Sequence, residues 1–320
     1  MLARTARERA DSIFGRKVRI RGLLELTNVC RNNCFYCGLR RDNRSVNRYT
    51  LSREDILSAC TQAFDAGFRT FVVQGGENPA LTAKHVADIV GMLKAAFPEA
   101  AITLSLGEWP DEALRLFRDA GADRYLLRHE TRNASHYSAL HPADMSLENR
   151  LRCLHTLKRL GFQTGTGIMV GSPGQTSEHI VEDLNFMLEL QPEMIGIGPF
   201  IPHGATPFAH YPAGSVELTL RLISILRLLF PYANIPATTA LATLRSDGRN
   251  MGILAGANVV MPNITPPDCR AAYEIYKNKA STGAEAAEGL KLLESDLARI
   301  GMEITTERGD FENTQPNVRS

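Results

Sequence analysis

Two patterns of apolar and polar positions alternate along the chain. Short β-branched or apolar runs lie near 20–26 (IRGLLEL), 69–73 (RTFVV), 101–106 (AITLSL), 124–128 (RYLLR), 164–170 (TGTGIMV), 194–198 (MIGIG), 234–238 (NIPAT) and 257–261 (ANVVM). Between them, near 52–66, 82–97, 111–120, 146–160, 176–190, 216–229 and 246–255, apolar residues recur at helical spacing. This alternation predicts repeated βα units around a parallel sheet. Start and stop signals support the phase. Ser52 precedes an apolar face at Ile56, Cys60, Ala63 and Phe64 that ends at Gly67, and Ser146 precedes Leu147, Leu151 and Leu154 before Gly161. Eight such repeats predict an α/β fold of the (βα)8 TIM-barrel type over residues 18–278, flanked by short extensions. Residues 1–17 read as a helix packed on the barrel. Residues 279–320 read as an Ala/Glu/Leu-rich helix over 284–299 and a disordered polar tail from Thr305 to Ser320.

Composition narrows the function classes. Among 320 residues, 36 Lys+Arg face 35 Asp+Glu, so no overall field draws the protein to nucleic acid or to an anionic membrane. No apolar run approaches a transmembrane span and no signal-peptide pattern opens the chain, so a cytoplasmic location is expected. The basic N-terminus has a faint transit-peptide character, which Glu8 and Asp11 fit poorly.

In a barrel of this type, chemistry sits on the loops that follow the strands. Here those loops read TNVCRNNCFYCG, QGGENP, SLGEW, RHET, GSPGQT, GPFIPH, TTAL and MPNITP, richer in Cys, Glu, Arg, His and Thr than turns require. Cys30, Cys34 and Cys37 have C-x3-C-x2-C spacing on the first of them. Three thiolates suit an iron–sulfur cluster with one iron left open for direct chemistry. A zinc site completed by a distant His or Cys, or a loop of free thiols, are the alternatives. No second C-x2-C pair is present; Cys60 and Cys153 fall on helices as packing residues, and the role of Cys269 is open. Lone loop histidines such as His129 and His203 read as hydrogen-bonding residues. The glycines at 165, 167 and 171 and at 196 and 198 do not complete a dinucleotide fingerprint; small residues there make room inside the barrel.

With the aromatic Tyr36 directly before its third cysteine, the triplet resembles the motif of the radical-SAM superfamily. The segments RGLLELTNVCRNNCFYCGLRRDN, FVVQGGENP, AITLSLGEWP, AGADRYLLRHET, GSPGQT, GIGPFIPH, NIPATTAL and GANVVMPN, spanning about Arg19 to Lys277, are similar to the [FeFe]-hydrogenase maturases of its biotin-synthase-like subgroup. The resemblance implies a [4Fe–4S] cluster on Cys30, Cys34 and Cys37 and S-adenosylmethionine (SAM) as its ligand, cleaved to a 5′-deoxyadenosyl radical. It implies Tyr36 beside the adenine, the Gly75-Gly76-Glu77 turn at the methionyl ammonium, Ser105 and Arg150 at the methionyl carboxylate, and Glu130 at the ribose. Gln74, Thr103, Arg128, Thr238, Thr239, Met261 and Tyr273 would line the substrate cavity. Each also has a plainer reading: Glu77 and Glu130 as solvated loop charges, Thr238 and Thr239 as sheet residues, Met261 as core. Many such maturases carry a further cysteine group near the C-terminus; none follows Cys269 here, so a single cluster is expected. The implied partners are a small organometallic iron–cysteine substrate, companion maturases (a tyrosine lyase and a scaffold GTPase) and a reduced electron donor. The residues themselves leave open a different barrel enzyme such as an amino-acid mutase, or a non-catalytic iron–sulfur scaffold or electron carrier.

Overall fold

A computed structural model describes residues 1–312. Six strands, Gly22–Thr27, Thr70–Gly75, Ala101–Ser105, Arg124–Leu126, Gln163–Thr166 and Met194–Ile195, pair in that order and all in parallel. Bridges from Met194 to Asn234, from Pro236 to Val259 and from Leu23 to Asn263 carry the pairing round to the first strand, which closes the barrel. The fold is the TIM-barrel type expected for this sequence.

The helices form because their apolar stripes have the barrel to cover. The helix Arg53–Asp65 buries Ile56, Ala59, Cys60 and Ala63, and Ser52 and Asp55 close a reciprocal capping box at its start. The helix Leu147–Arg159 buries Cys153, Leu154 and Leu157 behind the Ser146 cap. Their faces meet strand residues such as Val73, Ile102 and Leu104 in one continuous core. No helix among the described residues is long and apolar enough to cross a membrane.

Four differences from the sequence expectations stand out. The helix expected over 284–299 is an α-helix only over Leu290–Ala298, preceded by the 3-10 turns Gly283–Glu285 and Ala287–Gly289, with the poor helix formers Gly283 and Gly289 interrupting the run. The run 234–238 forms only isolated bridges, because Pro236 has no N–H to give a ladder, and Thr238 instead precedes a helix over Thr239–Leu244. The runs at 164–170 and 194–198 each break into two short pieces, Gln163–Thr166 with Met169–Val170 and Met194–Ile195 with Gly198–Pro199. At the C-terminus, Glu303–Thr305 is a strand that adds to Lys17–Ile20, correcting the expectation of a disordered tail from Thr305. Arg124, buried on its strand, draws this segment in: it bonds to Asp310 Oδ1 at 2.7 Å and to the Arg308 carbonyl at 3.0 Å. The rest of the tail, 313–320, lies outside the described residues.

Candidate active site

The cysteine loop leaves the strand Gly22–Thr27 and is tied down along its length. Arg31 N–H donates to the Glu77 carbonyl, Phe35 N–H to Leu140 and Gly38 N–H to Ile275. The Arg48 guanidinium donates to four loop carbonyls, those of Asn28, Leu39, Arg40 and Asn43. Buried Asn28 donates to the carbonyls of Asn47 and Ala272 and accepts from Tyr49 N–H. A loop without regular structure is thereby fixed, as a ligand-bearing loop must be.

All three cysteines are free thiols. Burial raises the pKa of Cys30 and of Cys34, and pushes Cys37 up to about 12; the neighbouring cysteines add to the rise at Cys34 and Cys37. Three bare thiolates would repel one another here, and a positively charged iron core offsets both that repulsion and the desolvation. Among the described residues no three His, Cys, Asp or Glu side chains converge as they would on a single ion.

The glycine turn owes its composition to the cysteine loop. A Cβ on Gly76 would strike the Val29 carbonyl oxygen and lie 2.8 Å from Cys30 Cβ. The carbonyls of Gly76 and Glu77 accept from Asn78 and Arg31 N–H groups. The Glu77 carboxylate takes Arg31, Nη2 to Oε2 at 2.9 Å, and Glu108 N–H at 3.1 Å. Glu77 therefore braces three loops, beyond the ammonium contact implied for its turn. Ser105 ends the neighbouring strand in register with Gln74. Arg150 is buried, with Nε 2.7 Å from Glu108 Oε1 and Nη1 donating to the Arg128 carbonyl at 3.0 Å. The Nε contact is an ion pair whose angle makes no hydrogen bond, so that N–H is left unpartnered.

Tyr36 is held by a residue that the sequence did not single out. Its hydroxyl lies 3.1 Å from His141 Nε2, while His141 Nδ1 lies 3.0 Å from the Tyr137 carbonyl. Burial first, and then Arg150, lowers His141 to about 4, so the ring is neutral. Its Nδ1–H donates to Tyr137 and Nε2 accepts from Tyr36. Glu130 meets Arg128, Oε2 to Nη2 at 2.6 Å.

Inside the barrel mouth lies a cavity of about 270 Å³, lined among others by Tyr36, Cys37, Gln74, Arg128, Glu130, Thr238, Thr239 and Met261. Tyr273 stands behind Gln74, whose Nε2 lies 3.2 Å from its hydroxyl. Thr103 is buried; its Oγ1 and that of Thr238 have no partner. Cys30, Cys34, the glycine turn, Ser105 and Arg150 fall outside this lining, around the cysteine loop, and Thr103 and Tyr273, expected to line the cavity, are not among its lining residues either. Two charged cavity residues carried no role in the sequence analysis: Glu25, fully buried, and Lys279, which pairs with it and donates to the Tyr273 carbonyl. A carboxylate amid the apolar run LLELT was the available signal for Glu25.

A three-cysteine loop at the carboxyl end of a closed parallel barrel, beside a largely apolar cavity that holds a few charged and polar side chains, defines the radical SAM class of enzyme. The model of that superfamily matches residues 24–187. The chain is 48% identical over 278 residues, 87% of its own length and 79% of the relative's, to the [FeFe] hydrogenase maturase subunit HydE of Thermotoga maritima. The chain belongs to the radical SAM superfamily and, within it, to the HydE family. It is 30% identical over 300 residues to the 3-methylornithine synthase of Methanosarcina acetivorans, covering 93% of this chain and 83% of that one. The crystal structure of methylornithine synthase (PylB) superposes with a TM-score of 0.83 at 27% identity, covering 95% of this chain and 88% of that one. The protein is thus a radical SAM enzyme, working with a [4Fe–4S] cluster and SAM.

Proposed function

We propose that this enzyme acts in assembling the diiron part of the [FeFe]-hydrogenase active site, with Cys30, Cys34 and Cys37 as the cluster ligands. The observation that carries this reading is the 48% identity to HydE over 87% of the chain, well above that to the methylornithine synthases. When bound, the cluster and SAM together supply a 5′-deoxyadenosyl radical. The remaining work belongs to the protein. Tyr36, fixed by His141, stacks beside the adenine. Arg150 offers its unpartnered Nε–H, and Ser105 its hydroxyl, to the methionyl carboxylate. Gly75, Gly76 and Glu77 present the turn to the ammonium, and Glu130 accepts from the ribose.

Gln74, Thr103, Arg128, Thr238, Thr239, Met261 and Tyr273 shape the space left for substrate. Its small volume suits a compact molecule: an iron complex carrying carbon monoxide, cyanide and cysteine, made by a tyrosine lyase and passed on, after reaction, to a scaffold GTPase. The reducing electron comes from a reduced electron donor. Hydrogenase maturation in a defined mixture, run with and without this protein, tests the proposal. Active hydrogenase forming only when the protein is present supports it; equal yield in its absence refutes it. The identity to 3-methylornithine synthase, 30% over nearly the whole chain, favours amino-acid rearrangement as the second reading. Formation of 3-methylornithine by the purified enzyme would select it.

A further inference from the structure

Glu130 is one of three non-glycine residues with positive φ among the described residues; its φ is 64°. A side chain with a Cβ is disfavoured in that left-handed region, where glycine fits freely. The sequence nevertheless keeps a carboxylate there, facing the cavity and Arg128. Such strain persists only where the surroundings over-determine the backbone. Here the surroundings are identifiable. Glu130 N–H donates to the Gly167 carbonyl at 3.1 Å on one side. On the other, a buried chain of side chains ties its neighbours to the helix Ser177–Leu190.

That chain runs through three residues with no solvent exposure, Thr166, His129 and Asp183. His129 Nδ1 lies 2.8 Å from Thr166 Oγ1, and Nε2 lies 3.2 Å from Asp183 Oδ1. Asp183 Oδ1 also accepts the Arg132 backbone N–H at 2.5 Å. One carboxylate therefore grips the residue before Glu130 and the second residue after it. The adjacent Asn133 adds a tie to the adjacent Glu182, its Nδ2 lying 3.1 Å from Glu182 Oε1. Full burial of a carboxylate is costly unless it is well bonded, and its other oxygen here has no partner. Apolar packing would join helix to barrel without that cost. The arrangement makes sense as a clamp that keeps residues 129–132 from relaxing out of the turn and swinging the Glu130 carboxylate away.

We infer that Asp183 and His129 are positioning residues that act on SAM binding through Glu130. The inference rests on the reading that Glu130 meets the SAM ribose. Released from Asp183, the loop can leave the left-handed turn, and the carboxylate no longer waits where the ligand arrives. Asparagine at 183 keeps an oxygen that accepts the Arg132 N–H, so it preserves the clamp where alanine does not.

A double-mutant cycle on SAM affinity, measured by calorimetry on anaerobically reconstituted enzyme, tests this. Losing a hydrogen bond to a charged group weakens binding about tenfold or more. Glu130→Gln and Asp183→Ala are each expected to weaken SAM by about that factor. Together they are expected to weaken it little more than either alone, while Asp183→Asn stays near wild type. In the cluster-free protein, hydrogen exchange at the Arg132 amide is expected to speed up in Asp183→Ala. Glu130→Gly is expected to raise the melting temperature while losing SAM affinity, the mark of a strained functional residue. Wild-type SAM affinity in Asp183→Ala despite faster exchange at Arg132, or effects that multiply in the double variant, would overturn the inference while leaving the Glu130 contact standing. Normal affinity in Glu130→Gln removes the ribose assignment, and the inference with it.

Discussion

Replacing Lys279 by methionine removes the cation from a buried ion pair and leaves Glu25 as an ionised carboxylate inside the barrel. Glu25 has no solvent exposure, and without Lys279 its one remaining side-chain donor is Asn263, Nδ2 to Oε2 at 3.0 Å. Breaking a buried pair from one side typically costs about 3–5 kcal/mol. At roughly 2.1 cal/mol/K of unfolding entropy per residue, this corresponds to a melting temperature lowered by roughly 4–8 °C. Burial already raises the Glu25 pKa with Lys279 in place, and the substitution raises it further. A carboxyl that binds its proton more tightly in the folded state makes stability fall as pH rises above the ordinary carboxylate range. The defect of Lys279→Met is therefore expected to be largest near neutrality and to shrink as pH falls toward 5. The double variant Glu25→Gln/Lys279→Met, with no buried charge left, is expected to recover most of the loss. Thermal melts of the cluster-free protein across pH give the answer. A single variant that melts like wild type, or a loss that does not change with pH, would refute the reasoning.

Gly76→Ala places a methyl group against the Val29 carbonyl and Cys30 Cβ. We expect about 1–3 kcal/mol of destabilisation and a lower iron content after reconstitution, read by melting and iron assay. Thr238→Val removes a buried hydroxyl that has no protein partner. It is expected to leave the melting temperature within about 2 °C of wild type or raise it, while slowing turnover of the natural substrate. Asp310→Ala removes a charge-assisted bond to buried Arg124, at a cost of about 1.5–3 kcal/mol. Against the upward push of burial, Arg124 holds Asp310 down to about 2. The Asp310 contribution is thus present above the ordinary carboxylate range and fades as pH falls toward 2, so wild type and variant should converge in acid melts.

The parts of this molecule legible in its sequence are those whose cause is local. Helical periodicity and the caps at Ser52 and Ser146 place the surrounding helices within a residue or two, because both signals act over one or two turns. The cysteine spacing declares its chemistry within eight positions of one loop. Long-range pairings were not legible. Glu25 and Lys279 lie 254 positions apart and Arg124 and Asp310 lie 186 apart, and nothing near any of the four names its partner. The polar segment after Thr305 therefore read as solvated tail, although its Arg308 and Asp310 satisfy groups at the barrel's amino end. At 234–238 the breaking signal was itself local: Pro236, inside a β-favouring run, cannot donate to a ladder, and the run gives way to a bridge and a helix start. The cavity residues came from resemblance to a family; their supports, Arg48 on the cysteine loop and His141 behind Tyr36, came only from the three-dimensional arrangement.

If the three-cysteine loop is where SAM is cleaved, anaerobically reconstituted, chemically reduced protein forms 5′-deoxyadenosine. An iron content near four per chain and accumulation of 5′-deoxyadenosine from SAM are expected, with accumulation lost in Cys34→Ala. An intact, reduced cluster that yields no 5′-deoxyadenosine, or a Cys34→Ala variant that still forms it, would place the cleavage elsewhere or exclude it.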